Sequence, residues 1–346
     1  MNVTHVISFP GLGIGNLNIP RVFFHIGNFN VYWYGVLIAV GLLLALLYGA
    51  KRTKDFGVTV DDLTDVVLWS VIFGIIGARV YYVIFFNQGG DNSFFANPVS
   101  IFRIWDGGLA IYGAIIGAFV SAFIVCRVKK LNPLPFFDIA GLGFLIGQAV
   151  GRWGNFFNQE AYGSTTSLPW GMKIIDDSSD AYSGQTVTVH PCFLYESLWC
   201  ALGFVLLHFY SKKHRKFRGE IFLMYAAWYS FGRFFIEILR TDSLMIGGWK
   251  VSMLLSAAVF VVAVTTILVV RGRIAKRAEN DTTGYVPIYA DAISSAEPEA
   301  PKPVSDIEDT SDTHEETAGS ADEPVPGEAP KEKAKTEEDS DAGSDH

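Results

Sequence analysis

The chain has 346 residues, of which 50% are hydrophobic and 14% are aromatic, which is too apolar for an ordinary water-soluble protein of this size. Its formal net charge of -8 is uneven, because residues 279–346 hold 20 Asp and Glu against 4 Lys, whereas residues 1–278 carry a net charge of +8. The composition therefore favours a membrane protein with an acidic tail, and it gives no indication of a nucleic-acid partner.

Seven apolar runs are long enough to cross a bilayer, which takes about 20 helical residues. They predict an all-α membrane protein, a seven-helix transmembrane bundle with spans near 31–50, 63–86, 107–126, 135–154, 192–210, 220–239 and 251–270. The first run is followed, not preceded, by basic residues, which argues against a cleaved signal peptide. Residues 1–277 then form the membrane domain. Residues 278–346 are expected to be disordered, because they have too little apolar surface to offset the cost of ordering.

The basic residues between these runs predict the orientation of the bundle. The segments after runs 1, 3, 5 and 7 read "KRTK", "RVKK", "KKHRKFR" and "RGRIAKR", and together they hold 15 Lys and Arg. Because loops rich in Lys and Arg stay in the cytoplasm, the N-terminus is expected outside and the C-terminus inside.

Three arginines remain within the spans: Arg79, Arg152 and Arg233. At 1.5 Å of rise per residue, each lies about 20–25 Å from the cytoplasmic edge of a core about 30 Å thick. Other polar side chains fall at the same outer depth: Tyr34, Tyr112, Glu196 and Glu237. Since charged groups facing lipid are costly, these side chains are expected to meet one another, water or a ligand.

Several interpretations of this polar level stay open. The charges could hold the bundle together, or arginines in excess of carboxylates could bind a phosphate at headgroup depth. A transporter or channel for an anionic metabolite would also need intramembrane charges, but no inverted repeat is evident and the level lies off the midplane. A scaffold whose charges serve assembly explains the common depth least well.

The three cysteines do not predict a disulfide framework or a metal site. Cys126 and Cys200 lie in apolar runs, where small buried residues are expected, and Cys192 is placed near the outer surface. No spacing typical of metal ligands is present.

One long polar stretch carries a resemblance to a known family. "GRWGNFFNQEAYG", residues 151–163, resembles the signature of the bacterial phosphatidylglycerol–prolipoprotein diacylglyceryl transferases. Other segments resemble family landmarks in order and spacing: "YWYGVLIA", "GARVYYVIF", "IWDGGLAIYGAIIG", "LPWG", "HPCFLYE" and "GRFFIEILRTD". The resemblance covers roughly residues 30–270 and leaves out the acidic tail.

The resemblance implies an enzyme of the bacterial cytoplasmic membrane that needs no cofactor. Such an enzyme moves the diacylglyceryl group of phosphatidylglycerol onto the cysteine thiol of a prolipoprotein signal peptide and releases glycerol phosphate. The implied substrate-binding residues are Arg152, Asn155, Tyr34, Arg79 and Tyr229. The candidate catalytic residues are Tyr112, Arg233, Glu237 and Glu160.

The group that takes the thiol proton is left open by the sequence. Many family members have histidine where this chain has Tyr112, and a tyrosine with an ordinary pKa near 10 is a poor base at neutral pH. Glu237, Glu160 or His190 could serve instead. Alternatively, the field of the arginines could generate the thiolate without a base.

Overall fold

The computed structural model describes residues 4–27, 29–86, 98–104, 107–176 and 185–280. Within these residues the chain forms seven long helices in the order that the apolar runs predict. The helices are α1 Trp33–Phe56, α2 Val60–Phe85, α3 Ile111–Val128, α4 Pro133–Asn158, α5 Cys192–Lys213, α6 Glu220–Leu239 and α7 Val251–Asn280. Helix α7 passes the predicted boundary at residue 277, and the rest of the predicted tail, 281–346, lies outside the described residues.

Six of the seven helices are long and apolar enough to cross a membrane, namely α1, α2, α3, α4, α5 and α7. Helix α6 is not among these six, and it carries Arg233 and Glu237 within its length. Large apolar side chains point outwards along the other helices, and Leu43, Ile116 and Val262 are each at least 55% exposed. A surface of this kind suits contact with lipid chains.

Helix α4 lies at the centre of the bundle and packs against α1, α5 and α6. Its residues Leu142 and Leu145 are fully buried. Helices α2 and α3 form a separate close pair, because glycines face each other across their interface. A Cβ atom on Gly113 would lie 2.2 Å from the carbonyl oxygen of Gly77, so only glycine permits this approach.

The described part of the chain also contains eight strands, which the all-α class predicted from the apolar runs does not include. They are β1 Thr4–Phe9, β2 Ile14–Pro20, β3 Val22–Ile26, β4 Phe29–Tyr32, β5 Met172–Asp176, β6 Gln185–Val189, β7 Met245–Ile246 and β8 Trp249–Lys250. Four of them form an antiparallel sheet in the order β2-β1-β5-β6, with Ile7 opposite Ile174. The other four form the hairpins β3–β4 and β7–β8.

The four-stranded sheet is joined to one end of the bundle. Strand β6 leads into α5, and the buried strand residues Ile7, Ile174 and Val189 form one apolar cluster with Phe156 of α4 and Phe193 of α5. The sheet therefore fixes the end of the bundle where α4 and α6 finish and α5 begins. All of the buried charges described next lie at that end.

Candidate active site

The signature segment forms the last two turns of α4 and the tight turn that follows. Arg152 and Asn155 are three residues apart and so share one helix face. Gln159 ends the helix in the left-handed conformation, with φ of 49°. There is no room for a side chain at Gly154 or Gly163. A Cβ atom at Gly154 would lie 2.4 Å from the ring of Tyr34, and one at Gly163 would lie 2.8 Å from His190.

Glu196 of α5 joins the two arginines of the site. Its Oε1 atom lies 2.5 Å from the Nη2 atom of Arg152, and its Oε2 atom lies 3.0 Å from the Nη1 atom of Arg233. The hydroxyl group of Tyr229 donates a further hydrogen bond of 2.9 Å to Oε1. Glu196 is only 2% exposed, so its charge depends on these side chains from α4 and α6.

Glu237 completes what we call the arginine cluster, defined as Arg152, Glu196, Tyr229, Arg233 and Glu237. Its Oε2 atom lies 2.6 Å from the Nη2 atom of Arg233, one helical turn away on α6. Two arginines thus face two buried carboxylates, and the excess of positive charge expected from the sequence is absent from the cluster.

A chain of polar groups runs from the cluster to the surface. Arg152 donates to the side-chain oxygen of Asn155 at 3.3 Å, and the amide group of Asn155 donates to Glu160 at 2.9 Å. Glu160 is exposed and also accepts from Asn158 at 3.3 Å. The Arg152 side chain remains 22% exposed, so the cluster is not fully closed.

Tyr34 lies beside the site, whereas the described hydrogen bonds of Arg79 join it to another segment. The ring of Tyr34 packs against Gly154 on the helix that carries Arg152. Arg79 instead donates hydrogen bonds of 2.6–3.3 Å to backbone carbonyls of the α2–α3 connection, at Ser100, Ile101, Arg103, Gly107 and Gly108. Arg79 therefore shapes the segment that leads into α3.

Among the described residues, neither Tyr112 nor His190 shares a hydrogen bond with the arginine cluster. Among the described residues, Tyr112 joins none of the hydrogen bonds of the cluster, and its ring lies 6.3 Å from that of Tyr81 on α2. The Nδ1 atom of His190 lies 3.2 Å from the hydroxyl group of Tyr195. Tyr195 and Glu196 are consecutive on α5 and so point about 100° apart around the helix.

His190 lines an open apolar groove of about 470 Å³ outside the bundle, together with Leu168, Trp170, Leu194, Tyr195, Leu198 and Leu239. Cys192 is 2% exposed, so its expected place near the surface is corrected to a buried one. Cys126 and Cys200 are buried, as the apolar runs predict.

Two groups at the rim of the site were not singled out from the sequence. Arg240, directly after α6, forms two hydrogen bonds of 2.9 and 2.7 Å with Asp242. Burial alone would raise the pKa of Asp242, but the hydrogen bonds from Arg240 hold that pKa below its ordinary value. Lys250 donates to the carbonyl oxygens of Glu237, Ile238 and Arg240. The segment "GRFFIEILRTD", which resembles a family landmark, contains both Arg240 and Asp242.

Comparison with known proteins gives a consistent result. The sequence model of a family described as prolipoprotein diacylglyceryl transferase matches residues 21–269. A phosphatidylglycerol–prolipoprotein diacylglyceryl transferase of Limosilactobacillus reuteri is 45% identical over 253 residues, which are 71% of this chain and 88% of the relative. The transferase of the same name from Thermotoga maritima is 40% identical over 259 residues, 74% of this chain and 87% of the relative. The transferase of the same name from Staphylococcus aureus is 41% identical over 264 residues, which are 74% of this chain and 91% of the relative.

Proposed function

Because this chain belongs to the prolipoprotein diacylglyceryl transferase family, we propose that its arginine cluster binds the phosphate of phosphatidylglycerol during group transfer. The protein is a multi-pass transferase of the bacterial cytoplasmic membrane. It transfers a diacylglyceryl group from phosphatidylglycerol to prolipoprotein. The transporter and scaffold interpretations explain neither the family membership nor the signature segment.

The proposal rests chiefly on the contacts and the exposure of Arg152. Among the residues that the structure describes, this arginine makes one close ion pair, with Glu196, while its contacts to Asn155 and Tyr229 are long, at 3.3 and 3.5 Å. A guanidinium group has five N–H donors in a planar fork that matches phosphate oxygens. Since Arg152 is also partly exposed, donors remain for a headgroup that enters from the surface.

Within the cluster, Glu196 acts on the arginines and not on the lipid. By pairing with Arg152 and Arg233, it holds both side chains in place before the substrate arrives, so little reorganisation is needed. Because the buried charges of the cluster balance, binding relies on directed hydrogen bonds more than on net positive charge. Arg233 is the second donor to the headgroup, and Tyr229, which donates its one hydroxyl hydrogen to Glu196, holds that carboxylate between the two arginines.

The reaction forms one bond and breaks one. The thiolate sulfur of the peptide attacks the glycerol carbon that bears the phosphate ester, a carbon–sulfur bond forms, and the carbon–oxygen bond breaks. The electron pair leaves with the oxygen of glycerol phosphate. Negative charge grows on this leaving group, and Arg152 and Arg233 stabilise it in a site poor in water.

Glu160 is the group that we assign to the thiol proton. It is an exposed carboxylate connected to Arg152 through Asn155, so an incoming cysteine can reach it. Glu237 is 1% exposed and paired with Arg233, which makes it a poorer acceptor. Arg79 contributes indirectly, by holding the segment that leads into α3, where Tyr112 stands. Tyr34 orients the lipid or peptide beside Gly154.

The orientation follows from the basic loops, with the N-terminus outside, the C-terminus in the cytoplasm and the arginine cluster in the outer half of the membrane. This places the cluster at the headgroup depth of the outer leaflet, where secreted prolipoproteins arrive. Single cysteines at exposed positions of the sheet and of the α3–α4 loop test the orientation. An impermeant thiol reagent added to intact cells should label the first set only.

A transfer assay tests the function and the site together. Vesicles that contain the full chain, phosphatidylglycerol labelled in its acyl chains and a peptide with a lipobox cysteine should yield a labelled peptide. The Arg152→Ala variant should yield none while keeping its thermal unfolding transition. Full transfer by a folded Arg152→Ala variant would remove the phosphate site from this arginine.

A further inference from the structure

The connection between α6 and α7 forms a short apolar hairpin, which we call the α6–α7 hairpin and define as residues 244–250. Met245 pairs with Lys250, and Ile246 pairs with Trp249. Gly247 and Gly248 form the two-residue turn, with φ of 56° and 83°. Positive φ at both turn residues is what a tight hairpin of this length requires, and glycine adopts it without strain.

The side chains of this hairpin are apolar and uncovered. Leu244, Met245, Ile246 and Trp249 are 63%, 51%, 66% and 63% exposed. Successive side chains of a strand point to opposite faces, so both faces of the ribbon are exposed. A hairpin that faced water would be expected to carry polar groups on at least one face. Residues 244–249 contain no charged side chain.

The position of the hairpin along the bundle indicates what covers it. Helix α7 begins at Val251, directly after the hairpin, and its first charged residue is Arg271. The 20 uncharged residues between these points span about 30 Å as a helix, which equals the thickness of a bilayer core. The hairpin therefore lies at the boundary of the hydrocarbon region, continuous with the lipid-facing surface of α7.

The base of the hairpin is tied to the end of α6. Lys250 donates to the carbonyl oxygens of Glu237 and Arg240 at 2.7 and 2.5 Å, and the Val251 N–H donates to the carbonyl oxygen of Leu244 at 3.0 Å. The charged groups of this segment thus point back to the protein, while its apolar tip points away. Such a division is typical of segments that lie in a membrane interface, where tryptophan is also enriched.

We propose that the α6–α7 hairpin inserts its tip into the lipid leaflet that surrounds the arginine cluster and anchors the end of α6 there. The partner is the interfacial region of the lipid surface, between the headgroups and the first part of the acyl chains. This role goes beyond the transfer reaction and does not depend on which residues bind the phosphate. It fixes the depth of the α6 end, and with it Arg233 and Glu237, relative to the lipid headgroups.

A fluorescence measurement tests the proposal on the full-length chain. Ile246→Cys is labelled with an environment-sensitive nitrobenzoxadiazole dye and reconstituted in vesicles of phosphatidylglycerol and phosphatidylethanolamine. The native cysteines Cys126, Cys192 and Cys200 are buried, which favours selective labelling. Gln185→Cys, at an exposed polar position of β6, is the matched control. Met245→Cys replaces the first variant if that variant does not fold.

The expected result is a blue-shifted emission at position 246, with quenching by lipids brominated near the headgroup several-fold stronger than at position 185. Emission and quenching equal to those of the control would overturn the proposal. A blue shift that appears only after a lipobox peptide is added would overturn it too, because the hairpin would then be a peptide-binding surface.

Discussion

Both ends of the helical bundle bury charged side chains, and the partners of those side chains differ. Where α6 begins, Asp138 accepts hydrogen bonds from the backbone N–H groups of Gly219 and Phe222 at 2.8 and 3.0 Å. Glu220 accepts from the N–H group of Lys216 and pairs with Arg271. Where α6 ends, Glu196 is held by side chains of α4 and α6 instead.

The difference separates a structural use of buried charge from a functional one. A carboxylate that accepts from the free N–H groups of a helix start satisfies the backbone, and in doing so it orients no side-chain donor towards a ligand. A carboxylate bound to two arginines fixes the direction of both and leaves their other donors available. Burial of charge alone therefore does not mark a site in this protein, and the identity of the partners does.

Arg215 shows the structural use at the first end. It lies between α5 and α6 with its Nη1 atom 4.0 Å from Asp138. Burial lowers the pKa of Arg215 to about 10, and the charge of Asp138 offsets part of this effect. Arg215 thus stays charged at neutral pH and helps to fix the start of α6.

Substituting one arginine at each end of the bundle should give the largest difference between the structural and the functional use of buried charge. We expect Arg152→Gln to reduce transfer by about 10²–10³-fold, the usual loss when a preorganised donor to a developing anion is removed. The matched variant Arg271→Gln should keep most of the activity, because its partner Glu220 serves the start of α6. Initial rates in the peptide-labelling assay measure both. Equal losses in the two variants would contradict the distinction.

Glu160→Gln should give the next largest loss, about 10²-fold at neutral pH, because the thiol loses its proton acceptor. The loss should shrink as the pH rises past the ordinary thiol pKa of about 8.5, since the cysteine then ionises unaided. A pH–rate profile of the parent and the variant measures this. A loss that stays constant across the pH range would make Glu160 a positioning residue for Asn155.

Asp138→Ala should affect stability and not chemistry. Loss of the hydrogen bonds to Gly219 and Phe222 should lower the free energy of unfolding by about 2 kcal/mol, as for a strong helix cap. Thermal unfolding in detergent measures this loss, while the transfer rate per folded molecule should stay close to the parent. A folded variant without activity would show that the two ends are coupled.

Tyr112→Phe should have the smallest effect, a loss of a few-fold in rate. Its hydroxyl group joins none of the hydrogen bonds of the arginine cluster among the described residues, and its ring packs near Tyr81. The comparison with Tyr112→His sharpens the result, because histidine would supply a base if α3 approached the reacting thiol. If Tyr112→Phe lost as much rate as Glu160→Gln, the proton transfer would be assigned to α3 and not to Glu160.

The places where prediction from the sequence was incomplete share a physical cause. The rise per residue groups Arg79 with Arg152 by position along the helix, but that position does not give the direction of a side chain around its helix. Packing of α2 against α3 turns Arg79 towards the carbonyls of residues 100–108. The order of the four-stranded sheet does not follow from the local sequence pattern, because β1 pairs with β5, more than 160 residues later in the chain.

The sequence by itself determined the positions of the seven helices, the family and the residues of the signature segment. Those features depend on local properties, namely the length of apolar runs and the spacing of polar groups along a helix. Only the tertiary structure decided that Glu196 connects the two arginines, that Arg79 serves a loop and that Lys250 holds the end of α6. Each of these depends on the rotation of one helix against another, and that rotation is set by packing between segments far apart in the chain.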